Sequence, residues 1–253
     1  MLEFSIVDTA QSEKDLAKEG IVGIVDLSDV KKNYALGKVT VEAVKGVSFS
    51  IEKGDFISIA GASGSGKTTI LNMIGLIDTP SAGEILLDGQ PVSQLKDREL
   101  TRLRHQVIGF IFQSFNLIPV LTAQENIEFP LLLGKNPRIT KEHRDYIDFL
   151  IGEVGLGDRR KNRPNELSGG QRQRVAIARA LVTKPQIVLA DEPTANLDSA
   201  TGEAIIQLMK KINQDLSTTF IFSTHDFKIV DIADHIIRLK DGLVIENRRA
   251  EGS

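Results

Sequence analysis

The chain has 253 residues, 41% of them hydrophobic, with no cysteine and a formal net charge of -3. That length buries a sizeable core in one large domain or a domain with a sub-lobe, and the charge argues against a general polyanion binder. A disulfide framework, a thiolate nucleophile and a Cys-based zinc site are excluded, and no apolar run approaches the ~18 residues of a membrane span.

Residues 1–20 are polar and predominantly acidic. They lack the basic start and apolar core of a secretory signal and read as a loosely structured extension. The expected location is therefore the cytoplasm or the cytoplasmic face of a membrane. Residues 21–253 read as one α/β domain. It opens with β-rich runs over 21–27 and 39–51, the second alternating through Val39, Val41 and Ala43 and then Val47, Phe49 and Ile51, as half-buried antiparallel strands do. Tyr34 falls between the runs, in an expected loop with Asn33 and Gly37. A lone tyrosine there is either amphipathic surface or a stacking platform for a base.

An apolar run at 56–60 leads into GASGSGKT at 61–68, and the helical pattern Ile70, Leu71, Ile74, Ile77 follows. Strand, glycine-rich turn, lysine and helix together make a phosphate-binding loop. Its backbone amides form an anion nest at a positive helix end. Gly61, Ala62, Ser63, Gly64, Ser65, Gly66, Lys67, Thr68 and Thr69 are the expected nucleotide contacts. Lys67 reaches the β/γ-phosphates and Thr68 ligates Mg²⁺. The chain is read as a binder of a nucleoside triphosphate.

Farther on, Asp88-Gly89 closes a hairpin, 95–104 is a charged helical stretch, and 107–112 (VIGFIF) is a buried strand ending at Gln113. Residues 114–167 read as a helical sub-lobe. It contains an amphipathic helix over 141–154 with Tyr146, Phe149, Leu150 and Val154 on its apolar side. Ser168 caps the next helix, whose apolar face carries Val175, Ile177, Ala178, Leu181 and Val182. The glycines of LSGGQ at 167–171 expose amides to an anion, or the motif is a capped helix start and nothing more. Two further strands, at 186–190 and 219–223, end at Asp191-Glu192 and at His225. Asp191 suits a Mg²⁺ shell and Glu192 suits the orientation or deprotonation of water. Each of these groups follows a strand, so all should meet at the carboxyl edge of one sheet.

Taken together, Tyr34, GASGSGKT, Gln113, LSGGQ, IVLADEP at 187–193, ANLD at 195–198 and His225 resemble the ATP-binding cassette (ABC) ATPases over about residues 22–246. The resemblance implies a P-loop NTPase core with an antiparallel β-subdomain and an inserted α-helical subdomain. It implies ATP and Mg²⁺ as cofactors, with Thr68, Gln113 and Asp191 around the metal and Glu192, His225 and Gln113 in catalysis. Tyr34 would stack on adenine. A head-to-tail dimer would set Ser168, Gly169, Gly170 and Gln171 of one subunit against the phosphate loop of the other, with Asp198 linking the two sites.

Residues 104–135 and LNMIGLIDTPSAGEILLDGQ are similar to the lipoprotein-release and macrolide-efflux branch. That similarity implies an ATPase subunit driving a separate permease from the cytoplasmic face of the membrane, docked near residues 116–129. Export of lipoprotein, lipid, drug or peptide is one outcome. Regulation of cell-envelope hydrolases through the same membrane partner, without transport, is another. A soluble ABC ATPase acting on DNA or ribosomes fits less well, since there are no second cassette, coiled-coil arms or zinc-binding cysteines. No nucleic-acid partner is expected.

Overall fold

A computed structural model describes residues 23–37, 39–133 and 137–250. The extension read over residues 1–20 lies outside the described residues. Two sheets organise the rest. Four antiparallel strands, β1 (Val25–Leu36), β2 (Val39–Ile51), β4 (Ala82–Leu87) and β5 (Gln90–Pro91), run in the order β2-β1-β4-β5. The second sheet comprises β3 (Phe56–Gly61), β6 (Ile108–Ile111), β7 (Ile187–Asp191), β8 (Thr219–Thr224), β9 (His235–Lys240) and β10 (Leu243–Arg249). Its order is β10-β9-β3-β8-β7-β6, parallel except for β10.

The central strands are continuous apolar runs because both faces are covered. Phe56, Val188, Phe220 and Phe222 pack toward a helical layer. Their neighbours Ile57, Ile187, Leu189 and Ile221 pack toward the antiparallel sheet and toward α1 (Lys67–Ile74). The helical layer is built from α3 (Ala123–Glu128), α4 (Lys141–Glu153), α5 (Gly169–Leu181) and α6 (Ser199–Leu216). Two further helices, α2 (Asp97–Val107) and α7 (Phe227–Ile232), precede β6 and β9.

Three expectations are corrected here. Tyr34 and Asn33 lie inside β1, which runs to Leu36. Register shifts at Leu27/Val30, Val30/Lys31 and Lys32/Asn33 let the strand continue through residues that read as a loop. Val39 and Val41 are 63% and 42% exposed, because burial in β2 starts only at Val44. On α4, Phe149 is 44% exposed, while Ile147, Leu150 and Ile151 fill the core. Within residues 114–167 the chain forms α3, α4 and short 3-10 turns at Phe129–Leu132, Gly157–Arg159 and Pro164–Glu166.

Candidate active site

Between β3 and α1 the chain turns through Gly64 and Gly66, whose φ values of 79° and 103° are left-handed. A Cβ on Gly66 would lie 2.7 Å from the Ala43 carbonyl oxygen, so a side chain there is excluded by contact as well as by strain. Ala62, Ser63 and Gly64 are exposed, whereas Ser65 is buried with no partner for its Oγ. The Lys67 side chain folds back under the loop. Its Nζ donates to the carbonyls of Gly61 (2.8 Å) and Ala62 (3.0 Å). Both acceptors are neutral, so the ammonium has no countercharge in these bonds.

Helix α1 has no side-chain N-cap. Gly66 offers it no side-chain acceptor and its first turn holds no acid. By contrast Thr122, Thr140, Ser168, Asp198 and Asp226 cap α3, α4, α5, α6 and α7 with side-chain oxygens. An unshielded positive helix end above a glycine turn is an anion site. Thr68, one residue into this helix, approaches β7. Its Oγ1 lies 3.1 and 3.4 Å from the two oxygens of Asp191. A hydroxyl facing a strand-end carboxylate is a hard-oxygen set that suits Mg²⁺ with substrate phosphates completing its shell.

The residue after Asp191 leaves the strand abruptly. Glu192 has φ 44°, and its amide donates to Ser223 of β8 at 2.8 Å. That left-handed backbone aims the carboxylate at His225, whose Nδ1 lies 2.8 Å from Glu192 Oε1. The Thr224 hydroxyl stands 3.4 Å from the other oxygen. The Glu192 side chain is 16% exposed and that of His225 71%. A carboxylate steered by a ring and reached by solvent can hold and deprotonate water.

Gln113, just beyond β6, is exposed, and its backbone carbonyl accepts from Asn196 Nδ2 at 2.9 Å. Phe115 and Asn116, which follow, are both left-handed at φ 61° and 47°. Their carbonyls are clamped by the Arg179 guanidinium from α5, at 2.7 and 2.5 Å. Asp198 caps α6 by accepting from Thr201, whose bonds hold its carboxyl below the usual aspartate range. Thr194 Oγ1 donates to Asp226 at 3.0 Å, tying the segment after Glu192 to that after His225.

The LSGGQ segment is a capping box. Gln171 N donates to Ser168 Oγ (3.3 Å), and Ser168 N donates to Gln171 Oε1 (2.9 Å). Gly170 is buried, and a Cβ there would meet Thr201 Cγ2 at 2.4 Å, so it also seats α5 against α6. Gly169 is half-buried and Ser168 exposed. Among the described residues no hydrogen bond joins residues 61–69 to residues 168–171.

One chain thus brings together the phosphate loop, Thr68, Asp191, Glu192 and His225; Gln113 lies just beyond β6, the strand paired with β7, and LSGGQ makes no hydrogen bond to the phosphate loop among the described residues. Tyr34 approaches from β1, its phenol near Thr69 in the first turn of α1. The sequence reading did not single out Asn196, Arg179, Thr194 or Asp226, although Asn196 sits within the recognised ANLD.

A family model described as ABC transporter matches residues 44–195. The chain is 48% identical over 227 residues to an uncharacterized ABC transporter ATP-binding protein of Thermotoga maritima, covering 89% of this chain and 96% of that one. A counterpart from Methanocaldococcus jannaschii is 46% identical over 231 residues, covering 90% and 98%. That cassette has been solved as a dimer in a post-hydrolysis state bound to ADP and Pi; it matches with a TM-score of 0.82 and 45% identity over 90% of this chain and all of that one. The macrolide export ATP-binding/permease protein MacB of Syntrophobacter fumaroxidans is 41% identical over 229 residues. This chain spans 32% of that relative's length.

Proposed function

The chain belongs to the ABC transporter family as an ATP-hydrolysing nucleotide-binding subunit, and from that premise we propose the residues that do the work and the partners they serve. Residues 21–253 are the ATPase domain, with residues 114–167 as its helical subdomain. The observation that carries the assignment is the uncapped start of α1, where Lys67 and the Thr68–Asp191 pair share a sheet edge with the Glu192–His225 pair.

Loop amides from Gly61 to Thr69 and the Lys67 ammonium bind the triphosphate, the lysine exchanging neutral carbonyls for charged oxygens. Thr68 and Asp191, with Gln113, would hold Mg²⁺, which when bound would neutralise charge on the phosphates. Glu192 takes a proton from the water that attacks the γ-phosphorus, and His225 fixes the carboxylate for that transfer. Catalysis by the chain is mainly electrostatic positioning.

Ser168, Gly169, Gly170 and Gln171 serve the phosphate loop of a second copy, head to tail. The dimeric cassette at 45% identity supports this arrangement. Ser168→Arg should leave ATP binding to the chain's own loop intact and abolish the closed dimer. A mixture of Ser168→Arg and Lys67→Ala chains puts both lesions in one composite site and leaves the other intact. The mixture should trap radiolabelled ATP better than either variant alone; equal trapping would contradict the head-to-tail dimer.

The membrane partner is a separate permease, met at the cytoplasmic face. Support comes from a cleft of about 1190 Å³ between α2, β6, α5 and the turn at Phe129–Leu132, lined by Phe110, Phe112, Phe129, Pro130 and Leu133 and rimmed by arginines. Phe115 is buried and Leu117 packs on the core, so the exposed apolar part of the expected docking segment reduces to Pro119 and Val120, the latter 73% exposed. Val120→Asp should spare ATPase activity of the isolated chain and lose co-purification with the permease. Retained co-purification would move the docking site elsewhere.

A further inference from the structure

Tyr34 is held from behind by a network that the phosphate chemistry does not use. Its phenol donates to Asp78 Oδ2 at 2.7 Å. The other oxygen of Asp78 accepts from Lys32 Nζ at 2.5 Å and from the Thr79 amide at 2.8 Å. Lys32 donates also to the Thr79 carbonyl at 2.7 Å, and its ammonium lies over the Tyr34 ring, 5.0 Å from the centroid. Lys32 is 9% exposed. A buried cation and a half-buried carboxylate that satisfy each other and a phenol form a connected cluster on the β1 side of α1.

The charge states are settled by the surroundings. Burial pushes the Asp78 carboxyl up, but the bonds from Lys32, Tyr34 and Thr79 outweigh it and hold it below the usual range. Burial and then the Asp78 bond push the Tyr34 phenol up, with Thr69 working the other way. The proton therefore stays on the phenol and the bond runs in one direction. The bond at the hydroxyl fixes the far end of the side chain and so the place of the ring. With the ammonium on one face, only the other face is available to a base.

We infer that Asp78 and Lys32 are positioning residues for the nucleobase, locking the Tyr34 ring with one face covered and the other presented for stacking. The inference rests on the reading of Tyr34 as the base platform. Asp78 follows α1, with its amide on the Asn72 carbonyl at 3.2 Å, so the platform is tied to the helix that starts at Lys67 and Thr68. Base and triphosphate subsites are thereby registered through one short helix. The cluster acts through the ring, which stacks on any π-face, so ATP and GTP should suffer alike when it is removed.

The test compares ATP with inorganic tripolyphosphate, a ligand without a base, by equilibrium binding to the full chain with Mg²⁺. Asp78→Ala should weaken ATP about two- to tenfold, the scale of one side chain's lost immobilisation, and leave tripolyphosphate unchanged. Tyr34→Phe, which removes only the hydroxyl and keeps the fold, should reproduce that loss. Combining the two should add nothing further. Lys32→Met should show part of the effect and Lys32→Arg should restore affinity. If Tyr34→Ala weakens ATP while Asp78→Ala and Tyr34→Phe do not, the positioning role is overturned and the base platform survives. If Tyr34→Ala itself leaves ATP affinity intact, the platform fails and the positioning role falls with it. Equal loss of ATP and tripolyphosphate in Asp78→Ala, or additive losses in the double variant, would assign Asp78 to the loop's structure instead.

Discussion

The two ends of the parallel sheet are held by different side chains. At the amino edge, Asp55, just before β3, accepts from the Glu52 amide (2.9 Å) and the Arg249 guanidinium (3.1 and 3.2 Å). Lys210 bonds both oxygens of Asp234 at 2.7 and 2.8 Å, and Asn213 bridges the carbonyls of Gly54 and Thr218 at 2.8 Å each. These side chains tie the starts of β3, β8 and β9 to α6 and β10. The carboxyl edge instead keeps Glu192, Phe115 and Asn116 in left-handed conformations and leaves Ser65 Oγ and Ser223 Oγ buried without partners. The left-handed backbone of Glu192 and the unpartnered hydroxyl of Ser65 thus lie where nucleotide chemistry happens, while charged and amide side chains tie the opposite edge together.

The contrast is broken most strongly at Glu192. Replacing it by Gln keeps size and hydrogen-bonding capacity but removes the proton acceptor beside His225. Single-turnover hydrolysis should slow by a factor on the order of 10² or more, while ATP affinity and thermal stability hold. Gel filtration should show the variant accumulating as an ATP-bound dimer. Wild-type turnover in this variant would remove Glu192 from catalysis.

Much of this edge was legible in the chain, because each functional group there ends an apolar run. GASGSGKT, Asp191-Glu192 and His225 follow β3, β7 and β8, and parallel strands deliver their ends to one side. Tyr34 was misplaced because Asn33 and Gly37 carry loop signals, whereas bulged pairing with β2 keeps β1 extended to Leu36. Asp78, Arg179 and Asn196 had no signal of their own. Their partners lie 44, 64 and 83 positions away in the chain, so only the fold brings them together. Hydrophobic period reports which face of an element is buried, and says nothing of which distant carbonyl a buried guanidinium will meet.

A second test takes the amino edge, where a lesion should cost stability and leave turnover alone. Asn213 is 4% exposed and donates to two backbone carbonyls. Asn213→Ala leaves Gly54 O and Thr218 O short of a donor, at a cost of about 1–3 kcal/mol. Thermal unfolding should begin several degrees lower, with kcat unchanged at temperatures where the variant is folded. A loss of kcat at full stability would show that the two edges are coupled.

The smallest effect, and the one that separates charge from packing, is expected at Arg249. Burial pushes the Asp55 carboxyl up, but the His235 ring beside it, the Glu52 amide and the Arg249 guanidinium more than offset this, and it is held below the ordinary value of 3.8. A carboxyl lowered by folding contributes stability that is present above its unfolded value and lost as pH falls through its folded one. Arg249→Ala leaves burial less opposed, so the folded value rises toward or past the unfolded one and that contribution shrinks. Arg249 is itself 41% exposed and also meets Glu52 at 3.1 Å, so solvent screening limits the loss to about 1 kcal/mol or less at neutral pH. Urea unfolding of wild type and variant should therefore differ most at about pH 7 and converge as the pH falls below the ordinary carboxyl value of 3.8 and Asp55 becomes protonated in both. Arg249→Lys should recover part of the neutral-pH difference. A gap of constant size across that range would mean that the arginine stem holds β10 by packing, and that its charge contributes nothing.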